Sequence, residues 1–453
     1  SNGFAVNANK TKDGNTYLGI NSHQPLEGPY SWYEAHLHSD EGWNILGATF
    51  PGGVTIFHGA NENLGWAHTV SFADHDDIYQ LTMHPKEKLK YRFDGKWLTL
   101  KEKKIRMWVK IFWIIKIPVT KKFYESVYGP VLEKDGQYFA VRFPSAFDIR
   151  GAEQWYHMNK AKNFNEFQDA LKEAAMPGLN IVYADKDDNI MFIDNGQFPK
   201  KDKHYDWWHL LPGDTSTTLW KANDYYPYDS LAKVINPKCG YVFNNNNTPF
   251  NCTAKEDNLN RNTHPLKDFY FAYNDNRSLR TSYLFAHSGK LSYDDFKAIK
   301  YDQQFMNPAY NYAMVNIEEV LHLDTKKYPQ IKEGMNVLRK WNRKADVNNK
   351  QATMVAIIIN NIIKKIIDEG NFPAVKTRIK EWFLVQCVED AQKYLKKNYG
   401  KLEIPLGDLQ HLVRGKKELP IGGIPDVNAA MWMKKHQNGL YKADAGESYI
   451  ELA

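Results

Sequence analysis

The chain has 453 residues, 43% hydrophobic and 25% charged, which excludes wholesale disorder and allows about three domains or one large enzyme body. Lysine and arginine number 59 against 53 acids, and a net charge of +6 over this length is too weak to suggest a nucleic-acid partner without a local basic stripe. Cys239, Cys252 and Cys387 form no disulfide framework and no CxxC metal spacing, leaving either one Cys239–Cys252 bridge or three thiols.

Up to about residue 145, short runs rich in β-branched and aromatic residues predict strands. These are Phe4–Val6, Tyr17–Ile20, Trp43–Phe50, Val54–His58 and Ile78–Met83, separated by Gly, Asn and Asp turns. Lys103–Glu125 alternates through a basic and aromatic stretch and predicts a hairpin; such a strip suits nucleic acid or anionic lipid, but a two-faced strand with solvated lysines is the simpler reading. Its Ile105–Val119 run, broken by Arg106, Lys110 and Lys116, falls short of a membrane span and reads as a core strand with solvated lysines. Glu153–Ala175 has a helical period and stops at Met176-Pro177-Gly178. Leu179–Ala184 and Ile190–Ile193 predict strands on either side of a turn, and 200–238 is loop-like. From about Leu291 to Leu412 the pattern is mainly helical, with Val355–Ile367 as a packed helix, and Ser448–Leu452 ends the chain as a strand. No repeat or low-complexity linker intervenes, so the chain predicts one α+β body with a helical section folded onto it.

Ser1 has a hydroxyl and, as a free N-terminus, an α-amine on the adjacent carbon. The ordinary pKa of such an amine is about 7.7–8.0, so modest tuning leaves it unprotonated near neutrality. It can then take the hydroxyl's proton, directly or through a water, with no histidine needed. On Ser1 alone, a remnant of tag removal explains the start equally well. Asp74-His75-Asp76-Asp77 sets carboxylates and carbonyls in a short turn, which suits a hard cation or simply a solvated acidic loop. His36, His38, His58 and His68 raise a zinc hydrolase as an alternative, although no HExxH or placed acid completes it.

Further motifs occur in a fixed order. Ser1-Asn2-Gly3-Phe4 is followed by Asn21-Ser22-His23-Gln24-Pro25, Trp32-Tyr33-Glu34-Ala35-His36 and Trp66-Ala67-His68-Thr69-Val70. Tyr128-Gly129-Pro130-Val131, Asn180-Ile181-Val182-Tyr183 and the run Asn244-Asn245-Asn246-Asn247-Thr248-Pro249 come next. This series resembles the β-chain of the penicillin acylase family, N-terminal-nucleophile hydrolases that include penicillin G, cephalosporin and acyl-homoserine-lactone acylases. It runs in order from Ser1 to about Arg280 and more loosely beyond.

The resemblance implies a four-layer αββα sandwich: a catalytic core over 1–290, a helical section over 291–419, and a return to the core sheet over 420–453, apparently shortened. It implies Ser1 as nucleophile with its amine as base, His23 as an orienting neighbour, and Arg277 as the arginine beside the active-site asparagine. The Val70 backbone N–H and the Asn246 side-chain amide would form the oxyanion hole. Gln24, Tyr33, His58, His68 and Leu179 fall at acyl-pocket positions. Asp74, Asp76, Asp77, Pro199 and Asp257 fall on ligands of a structural calcium ion, with a further acid from another chain, and no organic cofactor is implied. The implied reaction is hydrolysis of a small-molecule N-acyl amide by a chain released through autoproteolysis. The implied partner is an α-chain from the same precursor, and the implied location is periplasmic or secreted. A catalytically degenerate binding member of the fold is the other reading.

Overall fold

A computed structural model describes residues 1–271, 274–308, 317–368 and 379–453. The first strand, Asn2–Val6, explains the layering. Side chains alternate across a strand, and Phe4 and Val6 join a cluster with Phe285, Phe296 and Ile299 of two helices. Ala5 faces the other way, into a cluster with Ala67 and Val182 of a second sheet. Gly3 lies on that same side, where an added Cβ would sit 3.0 Å from Val182. Small residues on one face therefore let two sheets stack closely, and rings on the other face hold helices.

The first sheet runs in the order Tyr241–Asn244, Asn2–Val6, Tyr17–Pro25, Tyr441–Leu452, Gln410–Arg414, Lys417–Pro420. The second runs Lys233–Ile235, Ile190–Asn195, Leu179–Asp185, Leu64–Val70, His58–Asn61, Trp43–Thr49, Tyr33–Ser39. Helices Asn276–His287 and Tyr293–Lys300 cover the first sheet. Helices Gly151–Lys160 and Phe164–Lys172 cover the second through Trp155, Met158, Phe167 and Leu171. The result is the αββα sandwich. A separate apolar core holds the helical section, with helices Ala352–Asp368 and Glu381–Tyr399 packed around Val355, Ile358, Val388 and Leu395. Parts of the expected helical stretch, 309–316 and 369–378, lie outside the described residues.

Several local expectations are corrected. Glu153–Ala175 is two helices, because the Asn163 side chain accepts the Glu166 N–H and starts a second one. Val54–Phe57 is not a strand; pairing begins at His58. Residues 410–414 and 417–420 are strands of the first sheet rather than part of the helical section. All three cysteines are free, and Cys239 Sγ lies 3.0 Å from Thr253 Oγ1. The hairpin Lys101–Ile111 and Ile115–Glu125 forms as expected, but it is not core: its strands are exposed on both faces. The return to the core sheet is internal to it: Tyr441–Leu452 is paired on both sides.

Candidate active site

Asn2–Val6 lies between two strands, so Ser1 is delivered to a point flanked by Asn21–His23 on one side and the Asn244–Asn247 run on the other. A register shift between Ser22 and His23 marks a bulge, a device that re-aims local backbone. The His23 N–H donates to Ser1 Oγ at 3.1 Å, and the Ser1 amine donates to Asn246 Oδ1 at 2.8 Å. Asn246 is held at φ +69°, a conformation that asparagine tolerates better than most residues. Its Nδ2 donates to the Val70 carbonyl at 3.0 Å, as does Nδ2 of Asn180. Leu179 faces Val70 in the neighbouring strand.

Arg277 organises this cluster. Guanidinium carries five N–H donors, and all five are placed. Nη1 reaches the Ser1 carbonyl at 3.0 Å and Asn2 Oδ1 at 2.9 Å. Nη2 reaches Asn246 Oδ1 at 3.2 Å and Asp275 at 2.9 Å, and Nε meets Asp426 at 3.5 Å. Burial and then the Arg277 charge push the Ser1 amine well below its usual value. An amine so displaced favours its neutral form, the form that can accept a proton.

His23 sits in a second chain of charges. Its Nε2 lies 3.1 Å from Glu447, which in turn pairs with the fully buried Lys300. Burial pushes the imidazole well down, which favours the neutral ring of His23. Glu447, Lys300, Asp426 and Asn428 were not anticipated. Glu447 directly precedes the expected strand Ser448–Leu452, and pairing of Tyr17–Pro25 with Tyr441–Leu452 brings it to His23; Lys300 ends a helix and reaches the site through Glu447. An acid beside a strand-like run was the one available signal.

The expected pocket residues divide. His58 is buried, with Nε2 3.0 Å from Ser22 Oγ and its ring stacked on Tyr449. His68 accepts the Trp155 indole N–H at 3.0 Å, and burial lowers it to about 4. The Gln24 N–H donates to Ser448 beside His23. Tyr33 instead begins the edge strand opposite Thr49, half exposed, with no hydrogen bond to the Ser1 cluster. The histidines do not assemble a zinc site. His58 and His68 hold the partners just named, His36 pairs with Asn44, and among the described residues no three metal-binding side chains converge.

The expected calcium ligands do not fit the ion either. An ammonium already fills the position: Lys201 Nζ donates to the Asp74 carbonyl at 3.0 Å, Asp74 Oδ2 at 3.0 Å and Asp77 Oδ1 at 2.9 Å. The Trp220 indole takes the other Asp77 oxygen at 2.7 Å. Asp257 accepts the Cys239 N–H, Pro199 bridges Tyr225, and Asp76 lies exposed. A cavity of about 960 Å³ beside Asp74 and Lys201, lined by Trp207, Trp208 and Arg261, does not include Ser1. Converging polar groups, not volume, mark the candidate site.

The model of the penicillin amidase family matches residues 1–453. The chain belongs to the penicillin amidase family. Acyl-homoserine lactone acylase PvdQ of Pseudomonas fluorescens strain Pf0-1 is 28% identical over 207 residues, 44% of this chain and 27% of that protein. Penicillin G acylase of Escherichia coli is 27% identical over 257 residues, 55% of this chain and 29% of that protein. The chain thus spans under a third of these amidase-family relatives. The solved penicillin G acylase from Alcaligenes faecalis shares the fold, with a TM-score of 0.62 at 18% identity over 88% of this chain and 79% of that one.

Proposed function

We propose that the protein hydrolyses an N-acyl amide through an ester on Ser1, as the nucleophile-bearing chain of a processed precursor. One observation carries this reading: the desolvated Ser1 amine next to its own hydroxyl, framed by Asn246, Arg277 and the His23 N–H. A neutral amine has two N–H groups and one lone pair. One N–H is fixed on Asn246 Oδ1, and the lone pair takes the Ser1 proton as Oγ attacks the carbonyl, directly or through a water. Oγ accepts from the His23 N–H, which leaves its own O–H free to be given up.

Negative charge then develops on the carbonyl oxygen. The Asn246 amide nitrogen has two hydrogens; one is used on the Val70 carbonyl, and the second, with the Val70 N–H, is the proposed oxyanion donor pair. The amine returns its proton to the leaving nitrogen, and water cleaves the ester by the same route. The reading sets the acyl group against His58 and His68, whose burial among Trp32, Tyr449 and Trp155 favours neutral rings; such surroundings suit an uncharged apolar acyl group rather than a dicarboxylic one.

Autoproteolysis before Ser1, a second chain from the same precursor and export from the cytoplasm belong to this reading. The greater length of the matched relatives supports the second chain. The test is a panel of phenylacetyl, glutaryl and fatty-acyl amides, with acyl-homoserine lactones included, given to the protein made from its full gene, with Ser1→Ala beside it. Turnover of apolar acyl amides, lost in Ser1→Ala, is expected; turnover retained in Ser1→Ala would refute the mechanism.

A further inference from the structure

The hairpin at 101–125 takes no part in the chemistry, yet its composition is extreme. It carries eight Lys and Arg against two Glu, a net +6 equal to that of the whole chain, so the remaining residues balance to zero. Strands Lys101–Ile111 and Ile115–Glu125 pair with each other throughout, and only Tyr124 and Glu125 join the next strand. At about 3.3 Å per residue, the ribbon is about 35 Å long. Two-stranded ribbons in water are marginal by themselves.

The register sorts the side chains. Met107, Val109 and Ile111 oppose Val119, Ile117 and Ile115 on one face, and nearly all of these are exposed. On the other face Lys110 opposes Lys116, and Lys104 opposes Lys122. Like charges directly across a strand pair repel. Lys104 and Lys122 share Glu102, whereas among the described residues Lys110 and Lys116 have no acidic partner. The turn is Phe112-Trp113-Ile114, exposed by 82%, 91% and 88%. Phe112 sits at φ +52°, where glycine or asparagine would be easier, so large rings stand at the apex against the turn's own preference.

We infer that this hairpin docks the protein on an anionic phospholipid surface, with the Phe112-Trp113-Ile114 apex inserted at the headgroup boundary and the lysines on lipid phosphates. The spacing agrees. Lys110 and Lys116 lie roughly 7–10 Å behind the apex, close to the ~5–10 Å depth at which interfacial elements bury their apolar side. An anionic surface also relieves the Lys110–Lys116 repulsion. Protein interfaces are depleted in lysine at their cores, which favours lipid over a protein partner for a ribbon so rich in it. No helix among the described residues is long and apolar enough to cross a membrane.

Sedimentation of the full-gene protein with vesicles tests this, without reference to catalysis. Phosphatidylcholine vesicles containing about one third phosphatidylglycerol should bind it at low salt, with binding falling at high salt and on pure phosphatidylcholine. Each basic residue near such a surface contributes roughly fivefold to partitioning, so Lys110→Glu with Lys116→Glu should weaken binding by at least about 25-fold. Trp113→Ser should weaken it by roughly tenfold or more. All variants should melt with the wild type, because these side chains touch no core. Absence of vesicle binding, equal binding to neutral vesicles, or variants that bind like wild type would overturn the inference. So would a dimer dispersed by Trp113→Ser without vesicle binding, which would assign the surface to a second copy.

Discussion

Two buried clusters in this protein share one ionic plan and differ in what is left over. Arg277 lies between Asp275 and Asp426, and Lys201 lies between Asp74 and Asp77. An ammonium has three N–H groups, and Lys201 uses all three on its two aspartates. The cluster closes on itself and can only hold the loop. A guanidinium has five in a planar fork, so after two acids Arg277 still reaches the Ser1 carbonyl, Asn2 and Asn246. The same charge arrangement becomes structural in one place and electrostatic tuning in the other, because of donor number.

The largest effect that would break this comparison is at Arg277. Arg277→Gln should lower kcat/KM by roughly 10²–10³, a loss of the size seen for fixed donors around developing charge. The acid side of the pH–rate profile should also move. Arg277 disfavours the protonated amine, so its removal raises the amine pKa and carries the acid limb to higher pH; an unmoved limb would contradict the tuning role. Arg277→Lys keeps the charge but has three donors in place of five, so it should recover the limb's position without full activity.

Lys201→Met sharpens the other side. It strands two buried carboxylates and should cost about 3–5 kcal/mol in denaturant unfolding, while turnover per folded molecule stays within about twofold. Lys300→Met removes the partner of Glu447, next to His23, and should combine a similar stability loss with a fall in kcat. The smallest effect is the most pointed. Because Lys201 already supplies the positive charge, a strong calcium chelator should leave the unfolding midpoint of the wild type unchanged, and a clear drop would restore calcium to the Asp74 turn.

Much of the fold was readable because it is local. Alternation in Phe4–Val6 and Tyr17–Ile20, and the helical period after residue 151, follow from nearby residues. Ser1, Asn246 and Arg277 stood in ordered motifs. What escaped depends on distance along the chain. Glu447 reaches His23 only through strand pairing, and Lys201 reaches Asp74 only through loop folding; neither leaves a periodic trace. The hairpin is the instructive error. Its alternation fixed the ribbon but could not say whether anything covers it, and a core strand and an exposed one share that pattern.

In the proposed mechanism the Ser1 hydroxyl attacks with its own amine as base. Rapid quenching of the full-gene protein with a turning-over acyl amide, followed by mass analysis of its peptides, tests it directly. An added acyl mass is expected on the peptide that begins with Ser1 and nowhere else. An acyl group on another residue, or turnover with no acylated peptide and a Ser1 still joined to preceding chain, would contradict it.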